Sequence, residues 1–193
     1  MKRQQAMEKL KEHAVFSALD VEKIIGKTRR YAYLYIQRLK KVGDIHEVEK
    51  GRYSAYSDPF LVASRIVWPA YISGWAALQY HHLTEQLPSV IEVVTSRSRK
   101  HRDLEFMNVK IEFSRVKPGY FFGYDKAVYH GVTVFIAEKE KALLDALFLK
   151  HISAGEFTEI VKLHKQEISI RRLKNYAKKI DRLSSKINKL VGQ

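Results

Sequence analysis

The segment between Gly26 and Gly43 sets the strongest limit on how the start of this chain folds. Its apolar residues recur at i, i+3, i+4 and i+7, at Ala32, Tyr35, Ile36 and Leu39. This spacing is typical of a helix that buries one face. Thr28 precedes the pattern and suits an N-cap, whereas glycine favours helix ends. The sequence therefore predicts a helix that begins just after Thr28 and stops at Gly43.

The elements around this helix predict a winged helix-turn-helix over residues 1–57. A first helix is expected over 3–12, and a second helix ends at Ile25. Two short strands follow the third helix, around a turn at 49–52 that contains a glycine. Three helices and then a hairpin, with a glycine between the second and third helices, form the order of a winged helix that binds DNA.

The letters GKT at 26–28 also end a phosphate-binding loop in many nucleotide hydrolases. That loop needs a glycine five residues before the Gly-Lys pair, because backbone amides wrap the phosphates. Val21 stands at that position, and it belongs to an amphipathic helix rather than to a preceding strand. The sequence therefore favours a junction between two helices over a nucleotide site.

Polar and basic side chains are predicted to lie opposite the apolar face of the third helix. The predicted DNA-binding residues of the helix and the hairpin are Lys27, Thr28, Arg29, Arg30, Tyr33, Gln37, Lys41, Lys50, Arg52 and Tyr53. Arginine and glutamine make paired hydrogen bonds to base edges in the major groove. Tyrosine and lysine more often contact phosphates. The alternative is a solvated basic face without a partner.

The charge of the whole chain also favours an anionic partner. The formal net charge of the 193 residues is +14 and the sequence pI is about 9.8, which indicates a polyanionic partner. Residues 1–57 carry +6, residues 58–155 carry +2 and residues 156–193 carry +6. The chain has no cysteine, which excludes disulfides, thiol catalysis and cysteine-bound zinc. Without a signal peptide or a long apolar run, we expect a cytoplasmic protein with no membrane partner.

The fold class expected for the whole chain is α+β: the winged helix, a mixed α/β domain over 58–155 and a basic helical extension over 156–193. The proline of Asp58-Pro59 marks the first boundary. Strands are predicted at 89–96 and 109–116, with two more around Gly131. Helices are predicted at 60–67, 73–82 and 138–152, and two or three more after 155.

A second cationic cluster lies in the middle of the chain. Arg97, Arg99, Lys100 and Arg102 fall in a loop that is expected to contact phosphate or an acidic partner protein. A solvated loop is the alternative.

Enzymatic sites have little support in the sequence. Asp103 and Glu105 beside Lys110 loosely resemble the carboxylates and lysine of a metal-dependent nuclease, but arginines surround them. His81 and His82 are adjacent, whereas two zinc ligands on one helix need a spacing of three or four residues. No Gly-x-Ser-x-Gly motif is present. We therefore expect no catalytic residue, no metal site and no cofactor.

Much of the chain resembles the AbiEi-type antitoxin family, predicted transcriptional regulators of viral defence systems. The matching positions are Tyr71, Ser73, Ala77, Leu78, His82, Leu83, Thr84, Gln86, Pro88, Arg115, Phe122, Gly123, Glu140, Leu143, Leu144 and Asp145, with Gly51, Arg52 and Tyr53 in the hairpin. Each motif is weak alone, and their order together carries the resemblance.

The resemblance implies a DNA-binding antitoxin of a two-gene abortive-infection module. Such a protein represses its own promoter through the winged helix, and we expect a monomer or weak dimer that binds an inverted repeat of double-stranded DNA cooperatively. The family's partner is a nucleotidyltransferase-like toxin, countered without a stable complex in the type IV arrangement. The alternative is an interaction protein that binds an acidic toxin directly through its basic loop and tail.

Overall fold

The computed structural model describes residues 3–192 and combines helices with two β-sheets. The helices are α1 (Arg3–Lys11), α2 (Ala18–Ile25), α3 (Arg29–Lys41), α4 (Pro59–Ala63), α5 (Gly74–Tyr80), α6 (Lys139–Phe148), α7 (Ala154–Leu163), α8 (Ile170–Ala177) and α9 (Leu183–Val191). The strands are β1 (Phe16–Ser17), β2 (His46–Glu49), β3 (Arg52–Ser54), β4 (Ala70–Ser73), β5 (Val90–Thr95), β6 (Asp103–Phe106), β7 (Val109–Arg115), β8 (Tyr124–Tyr129) and β9 (Val132–Ala137). The predicted mixture of helices and strands is confirmed.

The first three helices surround a core of their own together with a small sheet of order β1-β3-β2. The side chains of this core include Leu10, Phe16, Val21, Ile36 and Tyr53. The three helices and the β2–β3 hairpin follow one another in the order that the sequence predicts, whereas β1 was not predicted.

Capping residues fix the junction between α2 and α3. Ser17 and Asp20 form a capping box at the start of α2, in which each side chain bonds the other residue's backbone N–H. Gly26 ends this helix in the left-handed conformation, with φ +63°. The Thr28 hydroxyl accepts a hydrogen bond from the Tyr31 backbone N–H and caps α3. The interpretation of GKT as a junction is confirmed.

A six-stranded sheet of order β6-β7-β5-β4-β9-β8 forms the second, larger core. The pairs β4–β9 and β5–β7 are parallel, and the other neighbours are antiparallel. The predicted strands near 90, 109, 127 and 132 are confirmed. β4 and β6 were not predicted. β4 precedes the expected helix at 73–82 and shares only Ser73 with it, and its residues Tyr71 and Ile72 are fully buried between β5 and β9.

The turn from β4 into α5 requires a glycine. Gly74 has φ +56°, and a Cβ atom at this position would lie 2.8 Å from the Glu92 carboxyl carbon. The Glu92 carboxylate accepts hydrogen bonds from the backbone N–H groups of Trp75 and Ala76, at 3.4 and 3.3 Å. Burial raises the pKa of Glu92. A carboxylate that serves as an N-terminal cap from a neighbouring strand thus fixes where α5 begins.

The last three helices contribute to the same core as the large sheet. Phe157 of α7, Leu173 of α8 and Ile187 of α9 are fully buried there. The predicted count of two or three helices after residue 155 is confirmed. The domain limits at 57 and 155 stay predictions. None of the helices within residues 3–192 has the length and apolar character needed to cross a membrane.

Candidate nucleic-acid interface

The outward face of α3 is polar and open to solvent, while its other face is fully packed. Ala32, Ile36 and Leu39 are buried, as the periodicity predicts. The exposed residues include Arg30, Tyr33, Leu34, Gln37 and Lys41. Tyr33 and Leu34 expose 49% and 53% of their surface. The helix therefore presents two cations, one amide, one phenol and one apolar side chain on a single accessible face.

The cations at and near this face divide into paired and unpaired ones. Arg29 forms an ion pair with Glu22, and this hydrogen bond raises the pKa of the guanidinium group. Lys40 forms an ion pair with Glu47. Within residues 3–192, no carboxylate pairs with Lys27, Arg30 or Lys41. These three cations are free to meet an external anion.

The hairpin beside α3 offers fewer free groups than the sequence predicts. Lys50 is exposed at the turn. The Arg52 guanidinium donates to the Ile66 carbonyl at 2.8 Å and lies 3.5 Å from a Glu49 oxygen. The Tyr53 side chain is only 5% exposed, with its ring 6.4 Å from that of Phe16. Its predicted contact with DNA is therefore wrong, because strand alternation points Arg52 outward and Tyr53 into the core.

In the basic loop after β5, too, only some of the cations are free to bind an external anion. Arg97, Lys100 and Arg102 are exposed. Arg99 instead pairs with Glu49 at 2.8 Å, and its guanidinium carbon lies 4.1 Å from the centre of the Phe113 ring. Its side chain is 15% exposed. The prediction that Arg99 contacts a partner is thus corrected: this arginine ties the hairpin to the large sheet.

The carboxylates of the nuclease alternative lie on an edge strand. Asp103 and Glu105 of β6 are exposed, and Asp103 pairs with Lys110 at 3.1 Å. In the described part of the chain, no three histidine, aspartate or glutamate side chains are grouped so that they could hold a metal ion. Asp103 thus neutralises a lysine of the neighbouring strand β7 instead of joining a metal site.

His81 has a structural contact. Its Nε2 lies 2.7 Å from the Ala137 carbonyl oxygen, and burial lowers the pKa of the imidazole. The adjacent His82 is exposed. The two rings therefore occupy different surroundings, although α5 ends at Tyr80, before the helix end at His82 that the sequence predicts.

A buried polar network joins α6 to β4 of the large sheet and was not predicted from the sequence. Lys141 and Asp145 of α6 form an ion pair, with side chains that are 0% and 2% exposed. The hydroxyls of Tyr71 and Ser73 donate to the same carboxylate, at 3.0 and 2.9 Å. Burial lowers the pKa of Lys141 and raises that of Asp145. The i, i+4 placement of the opposite charges Lys141 and Asp145 was the available signal.

Comparison with models of protein families gives no match, and a search of curated proteins gives no significant match either.

Proposed function

We propose that this chain is a DNA-binding transcriptional repressor that acts as the antitoxin of an abortive-infection, type IV toxin–antitoxin module. In this proposal the first 57 residues are a winged helix-turn-helix, and α3 is its recognition helix. The observation that carries the proposal is the outward face of α3, where Arg30 and Lys41 are exposed and unpaired beside Gln37. Cations that cluster on one helix face form the kind of electrostatic surface that binds nucleic acid.

Each exposed group of α3 has a role that follows from its chemistry. Arg30 and Gln37 are proposed to read base edges, because both form paired hydrogen bonds in the major groove. Tyr33, Lys41 and Lys27 are proposed to contact phosphates and to fix the position of the helix. Leu34 suits the methyl group of a thymine. Lys50 would extend the phosphate contacts to the hairpin, and the net charge of +14 would speed association with DNA.

The phosphate contacts have a second support at the start of α3. The first turn of a helix leaves backbone N–H groups unpaired and carries the positive end of the helix dipole. Thr28 occupies one of these groups as the cap, and Lys27 and Arg30 flank the same end. A DNA phosphate is a suitable ligand for this end of the helix.

The antitoxin part of the proposal rests on the family resemblance. Several residues that carry it meet around α6: Tyr71 and Ser73 bond Asp145, and the Gly123 carbonyl accepts from the Glu138 N–H at the start of that helix. A Cβ at Gly123 would lie 3.2 Å from Lys141. These residues of the resemblance therefore belong to one packed unit of the molecule. The proposed partner is a nucleotidyltransferase-like toxin encoded by the neighbouring gene.

Fluorescence anisotropy with a labelled duplex from the chain's own upstream region tests DNA binding. Arg30→Ala is expected to weaken binding by about 1–3 kcal/mol, the cost of losing a good base contact. Lys126→Ala is the control, since this exposed cation lies on β8 in the large sheet, outside the α3 face. Equal affinity of the Arg30 variant and the parent would contradict the assignment of α3.

Growth of cells that express the neighbouring gene tests the antitoxin role separately. Expression of the neighbour alone should arrest growth, and co-expression of this chain should restore it. The Arg30→Ala variant should still restore growth if neutralisation does not act through the promoter. Arrest that persists with the parent chain would contradict the antitoxin role while leaving DNA binding intact.

Direct capture of an acidic protein is a second candidate, favoured by the surface of the last helices. Arg171, Lys178, Lys186 and Lys189 are exposed there and form no ion pair with any residue of 3–192. Co-purification of this chain with the product of its neighbouring gene separates the two ideas. A complex that survives high salt would favour direct capture, and separate elution would favour the type IV arrangement.

A further inference from the structure

A pocket of about 390 Å³ opens where β5 and β7 end, and arginines line it. These parallel strands end side by side, with Thr95 of β5 opposite Arg115 of β7. The loop that follows β5 adds Arg97, Arg99 and Arg102 to the same lining, and Glu112 is its one acidic member among the described residues. Four arginines and one glutamate thus line this pocket.

Both ends of this loop are anchored, which fixes the shape of the pocket. At its start, the Arg97 N–H donates to the Thr95 hydroxyl at 3.1 Å, and that hydroxyl donates to the Pro69 carbonyl at 2.7 Å. At its end, the Arg102 carbonyl accepts from the Phe113 N–H at 2.6 Å. The free-energy cost of ordering the backbone around a ligand here is therefore small.

Arg99 holds the loop in place, whereas the other three arginines are free. Its ion pair with Glu49 and its stacking on Phe113 occupy the Arg99 guanidinium. Arg97, Arg102 and Arg115 are exposed, and no carboxylate of the described chain pairs with them. Three like charges around one pocket repel each other unless an anion neutralises them. The guanidinium fork matches the oxygens of a phosphate group in particular.

We propose that this pocket is a phosphate-binding site, with Arg97, Arg102 and Arg115 as its ligands. The site stands independently of the role of α3, because none of its residues belongs to that helix. Its phosphate has two possible sources. The Arg99–Glu49 ion pair brings the pocket close to the β2–β3 hairpin, which makes the backbone of a DNA duplex one source. A small phosphorylated molecule is the other.

The test compares the parent with two triple variants of equal charge. R97Q/R102Q/R115Q removes the three proposed ligands. K126Q/K162Q/K165Q removes three exposed lysines outside the pocket lining and outside its loop. Thermal unfolding establishes first that both variants keep the fold.

The first arm uses pyrophosphate as the probe, at fixed ionic strength, with NMR detection of arginine Nε–H signals. The parent and the lysine variant should show saturable shifts, and the arginine variant should bind at least about tenfold more weakly. The second arm measures duplex affinity against salt concentration. If a backbone phosphate fills the pocket, the log–log salt slope of the arginine variant should fall by about 0.9 for each phosphate that is no longer neutralised, beyond the change in the lysine variant.

The two arms identify the source of the phosphate. Weaker pyrophosphate binding with an unchanged salt slope would assign a small phosphorylated ligand. A reduced salt slope would assign the duplex backbone. If the two triple variants behave alike in both arms, the pocket is not a phosphate site. Should the parent not bind DNA at all, the function proposed for α3 fails, and the pyrophosphate arm alone still decides the pocket.

Discussion

The helices α3 and α6 use their charged residues in opposite ways. On α3, Arg30 and Lys41 face solvent without a partner in the described chain. On α6, Lys141 and Asp145 are buried against each other and against two hydroxyls of β4. Lys141 and Asp145 of α6 are satisfied within the molecule, whereas Arg30 and Lys41 of α3 are available to bind an anion outside it. A charged residue in a helix therefore indicates a binding function only once its ion-pair partners within the chain are known.

The physical reason for the difference is the cost of desolvation. A buried charge without a partner is very unfavourable, so the α6 network acts as a unit in which each member depends on the others. An exposed cation keeps its water and contributes little to stability. Substitutions in the two helices should therefore have different consequences, stability for α6 and binding for α3.

The largest effect is expected from Asp145→Ala. This change leaves the Lys141 ammonium group buried without a counter-charge, and breaking such a pair from one side costs about 3–5 kcal/mol. Urea denaturation followed by circular dichroism measures the decrease in stability. The double variant K141M/D145N should recover part of the stability, because it removes both charges. Equal stabilities of Asp145→Ala and the parent would show that the network is not structural.

A moderate effect is expected from Gln37→Ala on α3. Removal of one paired hydrogen bond to a base should reduce affinity for the upstream duplex by about 1–3 kcal/mol. The free energy of unfolding should change by no more than about 0.5 kcal/mol, since the side chain is exposed. Both quantities are measured on the same preparation. Destabilisation comparable to that of Asp145→Ala would remove the contrast between the two helices.

A smaller effect is expected from Lys41→Gln and Lys50→Gln. Each should weaken binding to every duplex alike and reduce the log–log salt slope by about 0.9, because each removes one phosphate contact. Anisotropy titrations at several salt concentrations, with the upstream duplex and a scrambled duplex, give the slope. A change in preference between these two duplexes would assign base reading to the lysines instead.

The smallest effect on stability is expected at Glu167. This carboxylate is exposed but paired, unlike the unpaired cations of α3 and the buried ion pair of α6. Lys139 and His164 lie 2.7 and 3.1 Å from its oxygens, and the hydrogen bond from Lys139 lowers the pKa of Glu167 from 4.5 to about 2. A lowered pKa contributes stability above pH 4.5 that is lost as the pH falls through about 2. The melting temperature of Glu167→Gln should therefore fall less than that of the parent as the pH is lowered from 4.5 to about 2. An equal fall in both proteins would contradict the pairing of Glu167.

Local patterns predicted the first helices well. The ends of α2 and α3 follow from Gly26 and Thr28, and the buried face of α3 follows from its periodicity. Features that depend on distant residues were not predictable in this way. β4 is a strand because β5 and β9 flank it, and Arg99 pairs with a glutamate fifty residues earlier in the chain. The i, i+4 spacing of Lys141 and Asp145 is a local signal for their ion pair, but the hydroxyls of β4 that bond Asp145 have no local signature.

The most direct test of the contrast is the sequence preference of the double variant R30A/Q37A. Anisotropy titrations compare the parent and the variant on the upstream duplex and on a scrambled duplex of equal length. The account predicts that the parent prefers the upstream duplex, and that the variant binds both duplexes with the parent's affinity for the scrambled one, at an unchanged melting temperature. A variant that keeps the parent's preference would contradict the claim that the outward face of α3 reads DNA.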